Sequence, residues 1–183
     1  MLAVLIGSTG VSYALPECEG SPITAPKVKS WDNCNGTHVL GVVIDGNKNL
    51  FGLKYVGEWK NDRPDGKGTL IYYTPSKAAG AKSVGDFRKG DFIQGIHTFP
   101  NGDKYVGEFI NRKRNGRGTF FANGMKYVGE WKNDRPNGLG ILTHADGRIE
   151  EGMFQNGNLL RAQKVAPNKY SSTTDVTHPS PNN

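Results

Sequence analysis

The string Lys54-Tyr55-Val56-Gly57-Glu58-Trp59-Lys60-Asn61-Asp62-Arg63-Pro64-Asp65-Gly66-Lys67-Gly68-Thr69 returns almost letter for letter from Lys126 to Gly140. A looser copy runs Lys104-Tyr105-Val106-Gly107-Glu108-Phe109 and closes with Asn115-Gly116-Arg117-Gly118-Thr119. A chain that repeats itself this plainly must fold as a series of like units, each leaning on the next. The central glycines fall at Gly57, Gly85, Gly107, Gly129 and Gly152, at intervals of 28, 22, 22 and 23. A period near 22 is too short for a helix pair and fits one β-hairpin per unit.

Within a unit the alternation is that of a strand. Tyr55, Gly57 and Trp59 share one face, and Val56, Glu58 and Lys60 the other. A loop rich in Asn, Asp, Pro and Gly follows, and Gly68-Thr69-Leu70-Ile71-Tyr72 reads as the second strand. Asn101-Gly102, Asn123-Gly124 and Asp146-Gly147 read as type I′ turns between units. A glycine inside every strand weakens it unless something packs there. Aromatic rings of adjacent strands lying flat over those positions supply the reason. Tyr55, Trp59, Tyr105, Phe109, Tyr127 and Trp131 then form a ladder, each pair adding about 0.5–1.5 kcal/mol beyond burial.

The units are not equal. The second has a degenerate strand, Ser83-Val84-Gly85-Asp86-Phe87, and Gly95-Ile96-His97-Thr98 where the others have Gly-x-Gly-Thr. It follows a six-residue insertion within Thr74 to Lys82. The last, Glu150-Glu151-Gly152-Met153-Phe154, lacks the tyrosine, as a capping unit does. Upstream, Trp31-Asp32-Asn33-Cys34-Asn35-Gly36-Thr37 reads as half of an opening unit. The chain therefore divides into a leader over 1–14, a cap over 15–50, about five units over 51–160 and a disordered tail over 161–183.

The leader is apolar from Leu2 to Ile6, and Ser12-Tyr13-Ala14 puts small residues where a signal peptidase would cut. It lacks a charged start and is too short to span a bilayer. Export to a periplasmic or extracellular space is the expectation, and peripheral membrane contact stays open. Two cysteines follow, Cys18 and Cys34. In an exported chain they form a disulfide closing a 16-residue separation, worth about 3 kcal/mol in the chain-entropy model. In a cytosolic chain they are free thiols. Two thiols without a paired His or Cys do not complete a zinc site. Asn35-Gly36-Thr37 fits a glycosylation sequon, and its Asn-Gly pair also fits a turn.

The units resemble the MORN repeat (membrane occupation and recognition nexus). Tyr-Val-Gly-Glu-Trp/Phe followed by Asn/Asp-Gly-x-Gly-Thr carries the resemblance at 55–69, 105–119 and 127–140, with weaker copies at 83–98 and 150–157. With its leader and cysteine pair the chain is similar to bacterial, repeat-only MORN proteins. The resemblance implies an all-β fold: an elongated, twisted antiparallel sheet of successive hairpins with a groove, solenoid-like in its growth. It implies scaffolding, dimerisation or attachment to membranes, and no catalysis. MORN units also precede catalytic domains in plant phosphatidylinositol phosphate kinases and in a SET-domain lysine methyltransferase. This chain has no room for such a domain, so a lipid-kinase name would rest on the repeat alone.

The residues themselves support that reading. Asp65-Gly66-Lys67-Gly68-Thr69 lacks the earlier glycine of a phosphate loop, and its copy has Leu139 in place of Lys67. Glu58, Glu108 and Glu130 recur with the period, which suits a repeated bond to the neighbouring loop better than a catalytic acid. His38, His97, His144 and His178 show no metalloprotease or serine-triad spacing. No cofactor and no metal are expected.

The formal charge is +6, which suits either an anionic partner or ordinary solubility. Arg112, Lys113, Arg114 and Arg117 concentrate in one loop, with Lys60 and Arg63 in the corresponding loop of the first full unit. These six are the candidate anionic-surface contacts, each worth about 1 kcal/mol at a membrane. No nucleic-acid motif accompanies them. The expected function is a non-catalytic scaffold holding an unidentified protein partner. Peripheral binding to anionic phospholipid and a regulatory role for an enzyme on another chain are the alternatives. A homodimer stays open.

Overall fold

The computed structural model describes residues 15–18, 32–44, 50–73, 79–166 and 169–170. The leader, Trp31, His178 and residues 74–78 of the insertion lie outside them. Eleven strands form one antiparallel sheet in chain order: β1 (Cys34–Ile44), β2 (Leu50–Lys60), β3 (Arg63–Tyr72), β4 (Lys82–Arg88), β5 (Asp91–Thr98), β6 (Lys104–Ile110), β7 (Lys113–Ala122), β8 (Met125–Lys132), β9 (Arg135–Thr143), β10 (Ile149–Gln155) and β11 (Asn158–Ala162). Each strand pairs with its sequence neighbours. The fold is therefore five hairpins, β2–β3 to β10–β11, led by the single strand β1. Among the described residues there is no helix.

The register explains the glycines. Gly36, Gly57, Gly68, Gly85, Gly95, Gly107, Gly118, Gly129, Gly140 and Gly152 pair in turn across the first ten strands. They make one row running the length of the sheet. Along it backbones come too close for a side chain: a Cβ on Gly129 would stand 2.6 Å from the Gly140 Cα. The second glycine of each full unit has another neighbour. A Cβ on Gly68, Gly118 or Gly140 would overlap the phenol of Tyr55, Tyr105 or Tyr127 on the adjacent strand. Each of those hydroxyls donates to the carbonyl of the glutamate three residues on, at 3.1–3.2 Å.

The rings do share a face, but they meet edge to face rather than lying flat. Tyr55 stands at 89° to Trp59 and 78° to Phe87. Tyr105 does the same between Phe109 and Trp131, and Tyr127 between Trp131 and Phe154. Edge-to-face contact matches the positive rim of one ring to the negative face of the next. Each tyrosine thus links the large ring of its own hairpin to that of the following hairpin. Trp59 and Trp131 also donate their indole N–H to the carbonyls of Gly36 and Gly118, both at 3.1 Å.

The loops are shorter than composition suggests. Within hairpins they are two residues long, Asn61-Asp62, Asn111-Arg112 and Asn133-Asp134, with φ between 50° and 68° throughout. Pro64, Asp65 and Gly66 belong to β3. Proline is tolerated there because it sits opposite Trp59 at a β-bulge, where the ladder is already interrupted. Between units, Asn123-Gly124 is the expected two-residue turn, with φ of 48° and 77°. Asn101-Gly102 and Asp146-Gly147 are not. Only their glycines have positive φ, and each sits in a three-residue loop closed by hydrogen bonds between Phe99 and Asp103, or His144 and Arg148.

The second hairpin also pairs differently from its sequence alignment. Gly95 faces Gly85, so it takes the place of Gly68 and not of Gly66. His97 then stands opposite Ser83, where the other full units set Tyr55 against Leu70 or Tyr127 against Leu142.

Both ends are covered. Residues 15–18 run beside the start of β1, with Cys18 N–H on the Asn35 carbonyl and Asn35 N–H on the Pro16 carbonyl, each at 2.7 Å. Asn35-Gly36 is strand, not turn. The Cys18–Cys34 disulfide holds this cap, with its Cα atoms 5.0 Å apart. An intramolecular disulfide is typical of oxidising compartments. At the other end, described residues that composition placed in a tail are packed on the sheet. Arg161 and Ala162 are in β11, and Val165 and Tyr170 are buried. The Tyr170 hydroxyl donates to the Leu139 carbonyl at 2.6 Å, and its pKa is pushed up to about 12 by burial. Two apolar residues in a polar segment were enough to fold it back.

Candidate functional site

The chemically varied side chains gather at the hairpin tips. Three tips lean on the hairpin before them: Gly90 N–H donates to the Pro64 carbonyl, Asp134 N–H to the Arg114 carbonyl, Gly157 N–H to the Pro136 carbonyl. Beneath the tips, Gly66, Gly116 and Gly138 have φ of +107°, +80° and +111°, a conformation glycine adopts without strain. The carboxylates of Glu58, Glu108 and Glu130 occupy the space where their side chains would be. Glu108 Oε1 accepts the Arg117 N–H at 2.9 Å. The periodic glutamates are thus ties between strands.

The six cations of the sequence reading do not form one patch. Lys60 and Arg63 are exposed at the first tip, Arg112 and Lys113 at the third. Arg117 is exposed further along β7. Arg114 is taken into the aromatic face. Its guanidinium lies 4.4 Å from the Trp131 ring centre and 4.8 Å from that of Phe120. It also pairs with the Asp134 carboxylate at 3.3 Å and donates to the Asp134 carbonyl at 2.8 Å. Only 17% of its side chain is exposed. It clamps the third hairpin to the fourth.

Two depressions open beside these tips. One of 440 Å³ is lined by Glu108, Asn115, Gly116, Arg117, Glu130, Trp131, Lys132 and Asn137. The next, 380 Å³, is lined by Lys132, Asn133, Arg135, Asn137 and Asn156. They share Lys132 and Asn137 and form a trough across the last three hairpins. Its walls offer carboxamides, two carboxylates and three cations. Asn115, Asn137 and Asn156 were not singled out in sequence. Their signal was positional: Asn115 and Asn137 both precede the positive-φ glycine of their unit.

The histidines stay apart. His38 packs on Trp59, His97 accepts or shares a hydrogen bond with Ser83 at 2.9 Å, and His144 lies 3.0 Å from Glu150. Burial lowers the pKa of His38 and of His97, the latter also under the influence of Arg114. Among the described residues no group of His, Cys, Asp and Glu could hold a metal ion.

The family model for the MORN repeat matches residues 55–74, 105–126 and 127–147. The chain is also 26% identical over 102 residues to vacuolar sorting protein 3 of Arabidopsis thaliana. That alignment covers 56% of this chain and 10% of the plant protein.

Proposed function

Since the chain is built of MORN repeats, we propose that it is a non-catalytic interaction module holding a segment of a protein partner in the trough along its last three hairpins. The mixed lining carries this reading. Glu108, Glu130, Arg117 and Lys132 stand within one depression beside Asn115 and Asn137. Such walls suit a polypeptide, which brings both charges and backbone amides. Carboxamides satisfy backbone N–H and C=O groups together. That a similar stretch makes up a tenth of a vacuolar sorting protein fits a module that positions other components. The disulfide favours work in an exported, oxidising setting.

A second reading rests on the exposed tip cations Lys60, Arg63, Arg112 and Lys113. They would contact anionic phospholipid from one edge of the sheet. Service as a regulatory module for an enzyme on another chain is a form of the first reading. Affinity capture from the native host separates them. Wild-type chain and an Arg117→Glu/Lys132→Glu variant are compared alongside flotation with neutral and phosphatidylserine vesicles. Loss of a captured protein with the variant supports the trough. Capture that the variant does not change, with flotation only on acidic vesicles, replaces it with the membrane reading.

A further inference from the structure

The segment after β11 returns across the sheet and shows what one face of it accepts. By strand alternation Glu130 and Glu151 lie on the face opposite the aromatic ladder. Gln163 N–H donates to the Glu151 carbonyl at 3.0 Å, and Lys164 pairs with the Glu151 carboxylate at 2.6 Å. Further on, Lys169 stands 3.4 Å from a Glu130 carboxylate oxygen. Tyr170, buried, donates its hydroxyl to the Leu139 carbonyl at 2.6 Å. One carboxylate and one carbonyl thus seat a lysine–tyrosine pair.

The repeat builds that seat three times. The carboxylates of Glu58, Glu108 and Glu130 each fill the space beside the positive-φ glycine of the facing strand. The carbonyls of Lys67, Arg117 and Leu139 each stand where a Cβ on Gly57, Gly107 or Gly129 would meet them. The two acceptors therefore recur together in the first, third and fourth hairpins. Among the described residues only the fourth seat is filled. In the first, Lys67 is drawn to Asp86 of the next hairpin at 2.7 Å. In the third, Glu108 and Arg117 are exposed. Glu108 accepts the Arg117 N–H, and neither side chain forms an ion pair among the described residues.

We infer that the third seat takes a lysine–tyrosine pair from an extended segment of a protein partner, the lysine on Glu108 and the tyrosine hydroxyl on the Arg117 carbonyl. The seat lies in the trough, so this rests on the trough reading and says what the partner carries. Where the fourth seat has Leu139, the third has Arg117, whose guanidinium can stack on a tyrosine ring. The match ends with that pair. Val128 holds the register position that Glu151 holds one hairpin later, so nothing there anchors a counterpart of Lys164.

A tethered segment meets its seat at an effective concentration of millimolar order. Docking in the fourth seat thus implies that a free peptide binds the third with a Kd on that scale. The probe is a synthetic peptide of residues 164–170, titrated into the isotope-labelled full, disulfide-bonded chain. Amide NMR signals of Glu108 and Arg117 should shift and saturate, while that of Tyr170 stays. Glu108→Gln keeps an acceptor for the Arg117 N–H and should weaken binding about fivefold. In the peptide, Lys169→Glu should weaken it at least about tenfold, and Tyr170→Phe about fivefold. Lys164→Ala in the peptide should leave it unchanged. Shifts confined to Leu139 and Tyr170 would mean that the peptide only displaces the chain's own segment. That result, or no saturable shift, would overturn the inference. Neither touches the trough reading, which stands on capture of a partner through Arg117 and Lys132.

Discussion

The third and fourth hairpins have a tyrosine in the aromatic ladder where the second does not, and the difference shows what a unit must contain. In the third, Tyr105 is fully buried and touches both Phe109 and Trp131. In the second, that position is Ser83, bonded to His97. The link is not lost. Phe92 stands 5.1 Å from Phe87 and 4.9 Å from Phe109, reaching across from the other strand. Other hairpins place Pro64, Arg114 or Pro136 there. The core is nonetheless split between this hairpin and the next, one buried cluster of Cys34, Tyr55, Trp59 and Phe87 with Phe92 packed against it, and a second of Tyr105, Tyr127, Trp131 and Phe154. What a unit needs is a ring that bridges neighbours. Which strand supplies it is open to change.

The largest expected effect comes from making the third hairpin resemble the second. Tyr105→Ser removes a buried ring with no phenylalanine placed to replace it. It should cost about 3–5 kcal/mol and lower the urea midpoint accordingly. A loss under about 1 kcal/mol would mean that the ladder is not what holds the hairpins together. Next is Phe92→Ala. It should cost about 2–3 kcal/mol, less because the ring is only half-buried. Its sharper signature is cooperativity. A repeat array melts as one body only while neighbour coupling holds. Calorimetry should therefore resolve two transitions where the parent shows one.

Sequence reading reached the period, the strand faces, the glycine pattern and the cysteine pair because each is local or recurs. The cores of the hairpins could be placed from Tyr55, Gly57 and Trp59 alone. Three things could not. Pro64-Asp65-Gly66 has turn composition, yet a β-bulge opposite Trp59 lets it continue as strand, and bulges depend on the partner strand. The role of Arg114 depends on Phe120 further along its own strand and on Trp131 of the next hairpin, so beside Arg112 and Lys113 it looked like one more surface cation. Phe92 sits where its counterparts are proline or arginine, and its bridging role appears only when the second and third hairpins are side by side. The trough was equally hidden, since its asparagines are ordinary turn residues until two hairpins dock.

Arg114 tests how far the third hairpin depends on its own clamp, which the second lacks. Arg114→Ala removes the cation over Trp131 and the bonds to Asp134 together. A loss of about 2 kcal/mol is expected. Arg114→Lys should recover little, because an ammonium cannot lie flat on the indole while meeting the carboxylate and carbonyl of Asp134. Full rescue by lysine would reduce the clamp to simple charge pairing and return Arg114 to the surface cations.

The smallest effect is the most specific to the second hairpin. The neutral His97 ring faces Ser83, Phe99 and Phe109, and burial, helped by Arg114, holds its pKa below the usual 6.5. The unfolded chain binds a proton near that value while the folded chain does not. Stability is thus full above about pH 6.5 and falls as pH drops toward the folded pKa. His38, lowered by burial on the first hairpin, contributes in the same direction. His97→Leu restores the leucine found opposite Tyr55 and Tyr127. It should flatten part of the pH dependence between neutral and mildly acidic solution and leave the His38 share. Denaturant midpoints measured across that range decide it. A slope unchanged in His97→Leu would place the whole effect on the first hairpin, and the Ser83–His97 pair would then be no more than a neutral filler for the missing tyrosine.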